Sequence, residues 1–145
     1  MRFMAIVKAN KDSEAGALPS KELLAAMGKF NEEMARAGIL LAAEGLQPSS
    51  KGAKVKFSGT KRTVVDGPFA ESKELIAGFW LLQVRSKEEA IEWIKRSPAP
   101  FEGESEIEIR QVFEASDFPA EIFPPEDAAR EQALRDELQR KTAKP

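Results

Sequence analysis

Val64-Val65-Asp66-Gly67-Pro68-Phe69-Ala70-Glu71-Ser72-Lys73-Glu74 is the stretch on which the reading of this chain turns. A β-branched pair runs straight into a turn, and a short charged segment follows. Gly67 stands before a proline, which disfavours the α region and leaves extended or glycine-only conformations. Asp66 can hydrogen-bond the backbone of its own turn. A strand therefore ends here, at a turn whose residues are chosen for backbone geometry.

Reading outward, Val55 and Phe57 alternate with lysines and Ser58-Gly59 marks a turn, so Thr60 to Val65 returns as the second arm of a hairpin. On the far side, Ala77 to Val84 is a nearly continuous apolar strand. Ser86-Lys87-Glu88-Glu89 forms a capping box, and Ala90, Ile91, Trp93 and Ile94 give an amphipathic helix that stops before Pro98. Ser105 to Phe113 alternates, with Ile107, Ile109 and Phe113 on one face and Glu106, Glu108 and Arg110 on the other. Towards the N-terminus, Met1 to Ala9 reads as a strand bounded by the polar segment from Asn10 to Ser13. Ser20 caps a helix whose Leu23, Met27, Phe30 and Met34 form one stripe, and Gly38 closes it. Ile39 to Ala43 is the next strand. The order is the α+β, ferredoxin-like βαββαβ pattern with an inserted β-hairpin. Phe118 to Pro125 is a proline-rich connector, and Glu126 to Lys141 is a polar helix with acids four residues before bases. The expected division is residues 1–117 for the α+β domain and 118–145 for the connector and C-terminal helix.

Composition prunes function. The 145 residues are 42% hydrophobic and 32% charged, with a net charge of −2 and the charges mixed along the chain. No basic stripe points to nucleic acid. The chain has neither cysteine nor histidine, and no tyrosine. Thiolate chemistry, Cys-ligated metals and the usual zinc and haem ligands are thereby excluded. No cofactor and no metal are expected, and proton chemistry falls to Asp, Glu, Lys, Arg or water. No apolar run approaches a membrane span and no signal peptide is evident, so the chain reads as cytoplasmic.

Glu44-Gly45-Leu46-Gln47-Pro48, Asp66-Gly67-Pro68-Phe69-Ala70-Glu71, Gly78-Phe79-Trp80 and Ile107-Glu108-Ile109-Arg110 occur in this order within residues 1–114. In this the chain resembles the DGPF proteins, a branch of the YCII-related family. The resemblance implies a dimeric α+β barrel, in which two ferredoxin-like sheets pack face to face. The residues point the same way, because Phe79 and Leu81 lie on one face of their strand, Trp80 and Leu82 on the other, and both pairs are apolar. One face can take the helices, and the second needs a partner sheet. The smaller YCII proteins are expected to use a His–Asp pair, a role that a histidine-free chain does not inherit.

Two readings of the Asp66 region stand side by side. In one, Asp66, Gly67 and Pro68 are turn residues and Phe69 plugs the edge of the core. In the other, Asp66 is a general base or ligand anchor at a cleft, with Gly67, Pro68, Phe69, Glu71, Trp80 and Arg110 as ligand-binding neighbours. The chemistry would be isomerisation, lyase-type proton transfer or hydrolysis. DGPF genes commonly neighbour extracytoplasmic-function sigma factors, so the resemblance also implies, as an alternative, a non-catalytic partner in a sigma-factor-linked setting. A structural dimer with no ligand is the third reading.

Overall fold

The computed structural model describes residues 1–70 and 74–142. Its contacts divide the chain into two compact units, Met1–Val112 and Phe113–Pro145. The first unit is built on a four-stranded antiparallel sheet of β1 (Arg2–Lys8), β2 (Leu40–Gly45), β5 (Ile76–Gln83) and β6 (Ile107–Gln111), in the spatial order β2-β5-β1-β6. This is the ferredoxin-like arrangement, with the strands of the two halves interleaved. A separate two-stranded sheet, β3 (Ala53–Ser58) and β4 (Lys61–Asp66), is the inserted hairpin.

The period-2 alternation of β1 decides which face is the core. Phe3, Ala5 and Val7 are buried, and they stand opposite Leu82, Trp80 and Gly78 of β5. Helices α2 (Lys21–Arg36) and α3 (Lys87–Lys95) cover that face, with Phe30 and Met34 from one and Ala90 and Ile94 from the other. Phe30 meets Trp80 edge-on, with ring centroids 5.8 Å apart. Removing a side chain such as Phe3 or Leu82 from water contributes roughly 1.5–3 kcal/mol. These few residues therefore dominate the stability of the sheet.

The helix boundaries follow their capping chemistry. The Ser20 hydroxyl accepts the Leu23 N–H at 3.0 Å, and Gly38 takes a φ of +76° just past the end of α2. Ser86 accepts the Glu89 N–H, but the Glu89 carboxylate reaches back to the N–H of Arg85 rather than Ser86, one residue beyond the expected box. The segment after β1 is more than a polar boundary. Asn10 caps a single helical turn, α1 (Lys11–Glu14), by accepting the Ser13 N–H at 2.8 Å, while Ser13 Oγ accepts the Asn10 N–H. The last strand is shorter than its alternation suggests. The Val112 N–H donates to Arg2 O as the sheet ends, and Phe113 is exposed rather than sharing the buried face of Ile107 and Ile109. Phe113 stacks instead on Phe118, at 4.9 Å.

In the second unit, α4 (Pro125–Thr142) carries the expected Glu131–Arg135 and Glu137–Lys141 pairs. Arg130 takes Asp127 rather than Glu126, and Asp136 accepts from Gln132. No residue of α4 is buried, and Leu134 and Leu138 are exposed. Exposed pairs of this kind contribute about 0.2–0.5 kcal/mol each. Deleting residues 126–145 is therefore expected to leave the far-UV circular dichroism of the α+β unit and its cooperative melt in place, with the melting temperature within a few degrees of wild type. Aggregation, or a far lower melt, would show that the tail completes the folded assembly.

Candidate functional site

An open cavity of about 930 Å³ lies between α2 and the sheet, at the end where β1 leaves and β5 enters. Leu23 and Met27 of α2, Ala43 of β2, Ala77 and Trp80 of β5, and Phe101 supply apolar wall. The loop after α1 brings Leu18, which is 90% exposed, to the same space. Apolar walls with few polar groups are the ordinary make-up of a small-molecule pocket. Asp12, Glu44, Lys51 and Glu102 bring charge to the lining, and all four are exposed.

One polar side chain interrupts the apolar stripe of α2. Asn31 lies four residues after Met27 and three before Met34, so helical spacing places it on the sheet-facing side. Its Oδ1 accepts the Trp80 indole N–H at 2.7 Å. Both residues line the cavity. Asn31 is hidden in the sequence because the stripe of α2 is defined by its apolar members. A lone amide inside such a stripe is the signal that would have found it, since a buried polar group needs a partner.

The Asp-Gly-Pro-Phe turn braces another part of the cavity wall. A single 3₁₀ turn, Ser49–Lys51, follows Pro48, and both Pro48 and Lys51 line the cavity. Ser49 is held from two sides. Its N–H and hydroxyl both donate to the Glu14 carboxylate, and its Oγ accepts the Phe69 N–H at 3.0 Å. The Gly67 N–H donates to Gly52 O at 3.0 Å. The approach is so close that a Cβ on Gly67 would lie 1.7 Å from Ser49 O. Glycine is thus required at 67 by contact with a distant turn as well as by its place before proline. The Gly67–Pro68 bond is cis.

The residues singled out from sequence do not all meet. Asp66 ends β4, opposite Ala53, and is exposed. Gly67 and Phe69 are half-buried, and the Lys54 ammonium sits 4.2 Å from the centre of the Phe69 ring. None of Asp66, Gly67, Pro68 and Phe69 lines the cavity, whereas Trp80 does. Arg110 lies on the opposite face of the sheet, across from Met4. Its side chain is 72% exposed and stands 4.0 Å from Glu108 of its own strand. An ion pair so exposed adds little stability. Glu71 falls outside the described residues. Among the described residues, no helix is long and apolar enough to cross a membrane.

Topology, inserted hairpin and cavity together define an α+β protein of ferredoxin-like plan. The family model of the YCII-related domain matches residues 1–116, so the chain belongs to the YCII-related family. It is also similar to Uncharacterized protein R00369 of Rhizobium meliloti (strain 1021). The two are 29% identical over 102 residues, which span 69% of this chain and 79% of that protein.

Proposed function

We propose that this YCII-related protein is a homodimer that binds a small molecule in the cavity between α2 and the sheet. The observation carrying this reading is the cavity itself, about 930 Å³ with apolar walls and the Trp80–Asn31 pair inside it. In this reading the Asp66-Gly67-Pro68-Phe69 turn is a positioning element. It fixes Ser49, and Ser49 belongs to the turn that supplies Pro48 and Lys51 to the wall. A site works best on such a supported frame. The homodimer rests on the second face of the sheet, where Met4, Ile6, Phe79 and Leu81 are half-exposed and form two adjacent rows. Any acid–base chemistry would fall to the carboxylates of the lining, Asp12, Glu44 and Glu102. A regulatory role through a protein partner is the alternative, and the exposed Leu134 and Leu138 of α4 favour it.

The test is a thermal-shift screen with neutral, largely apolar metabolites on three proteins. Wild type is expected to rise saturably in melting temperature with at least one compound. Met27→Trp, which fills the cavity, is expected to fold and lose that response. Asp66→Asn is expected to keep it, because Asp66 stands outside the wall. Loss of the response in Asp66→Asn alone would move the binding site to the hairpin. A hit that stabilises Met27→Trp as well as wild type would remove the cavity from the reading.

A further inference from the structure

We infer that the cavity selects a ligand without negative charge that has an apolar body and one carbonyl-type acceptor oxygen, which Asn31 reads. The inference rests on the cavity being the binding site.

The orientation of the Asn31 amide is set by its neighbour. An indole N–H can only donate, so the atom facing Trp80 Nε1 at 2.7 Å must be the carbonyl oxygen of Asn31. The NH₂ group is then turned elsewhere. It has no hydrogen-bond partner among the described residues, yet no buried side-chain nitrogen there lacks a partner. The NH₂ therefore faces open space, and the space that Asn31 lines is the cavity. A donor aimed into a mostly apolar pocket is satisfied best by an acceptor on the ligand, and leaving it unpaired once water is expelled is costly.

Charge narrows the class further. The lining carries three carboxylates, Asp12, Glu44 and Glu102, against the single ammonium of Lys51. A cleft with an excess of one sign raises the local concentration of the opposite sign and repels its own. A carboxylate or phosphate ligand would meet that field, whereas a ketone, ester or amide offers Asn31 the same acceptor without the charge.

Three probes that share one ring system separate the terms: 2-acetylnaphthalene, naphthalene and 2-naphthoate, titrated calorimetrically into the full-length protein. Wild type is expected to bind 2-acetylnaphthalene about tenfold tighter than either of the others, the size of one good hydrogen bond. Asn31→Asp can still accept from Trp80 but offers no donor, and it is expected to lose that tenfold preference while keeping its affinity for naphthalene. Asn31→Leu, which adds no charge, is expected to do the same, and it serves if Asn31→Asp is poorly folded. Equal binding of acetylnaphthalene and naphthalene by wild type, or a preference unchanged in both variants, overturns the role of Asn31 and leaves the cavity reading standing. Tightest binding of naphthoate overturns the exclusion of anions. Failure of all three probes to bind wild type tells against the cavity itself.

Discussion

Replacing Gly67 by alanine is expected to lower the melting temperature by roughly 8–15 °C, a loss of about 2–4 kcal/mol. The new Cβ would sit 1.7 Å from Ser49 O and 2.6 Å from Ser49 C, far inside van der Waals contact. Both are backbone atoms, so no side chain can swing aside. Either the β4 turn or the Ser49–Lys51 turn must move, and the Gly67 N–H bond to Gly52 O and the Phe69 N–H bond to Ser49 Oγ move with it. Ala70→Gly is the matched control, since it alters an exposed residue of the same turn at a cost of at most about 1 kcal/mol in backbone freedom. Equal melting temperatures for the two variants would refute the close approach as a determinant of stability. If the turn braces the cavity as proposed, Gly67→Ala should also weaken whatever ligand stabilises wild type, even at temperatures where the variant is folded.

The second large effect concerns assembly. Light scattering at micromolar concentration is expected to return twice the 16.0 kDa chain mass. Leu81→Arg is expected to raise the dimer dissociation constant about a hundredfold or more, equivalent to about 3 kcal/mol. Leu81 lies between Ala42 and Met4 on the second face of the sheet, and Arg110 follows Met4 on the next strand. A guanidinium placed at Leu81 would be buried by a partner sheet without a matching acid in its row. Within one chain the same side chain can reach water, so the fold survives and the loss is confined to association. Leu134→Arg in α4 is the contrasting variant and should leave the mass unchanged. A monomeric wild type with native circular dichroism would eliminate the homodimer, and dissociation by Leu134→Arg rather than Leu81→Arg would transfer the interface to the tail.

How much of this was legible in the chain is best judged from particular residues. The short apolar run from Met1 to Ala9, the Leu23–Met27–Phe30–Met34 stripe, Ser20 as a cap and Gly38 as a stop each predict a local feature that the structure shows. Each is a short-range effect, since side-chain period and capping act within a few residues of the chain. The element order followed, and with it the ferredoxin-like plan. The one-turn helix α1 escaped notice because four residues are too few for any period to show.

The candidate site was legible only in pieces. Trp80 was singled out, yet its partner Asn31 stands 49 residues away. Asp66-Gly67-Pro68-Phe69 has the local pattern of a turn, in which the following proline already favours a glycine. The nearer constraint is Ser49, which bonds Phe69 across 20 residues and Glu14 across 35. Hydrophobic period says which face of a strand or helix is buried but not which distant segment covers it. The sequence by itself determined the longer elements, their order and the two apolar faces of β5. Only the tertiary structure decided that α2, the sheet and the loops beside them line a cavity, and which turns brace it, because those depend on contacts between segments that no local pattern links.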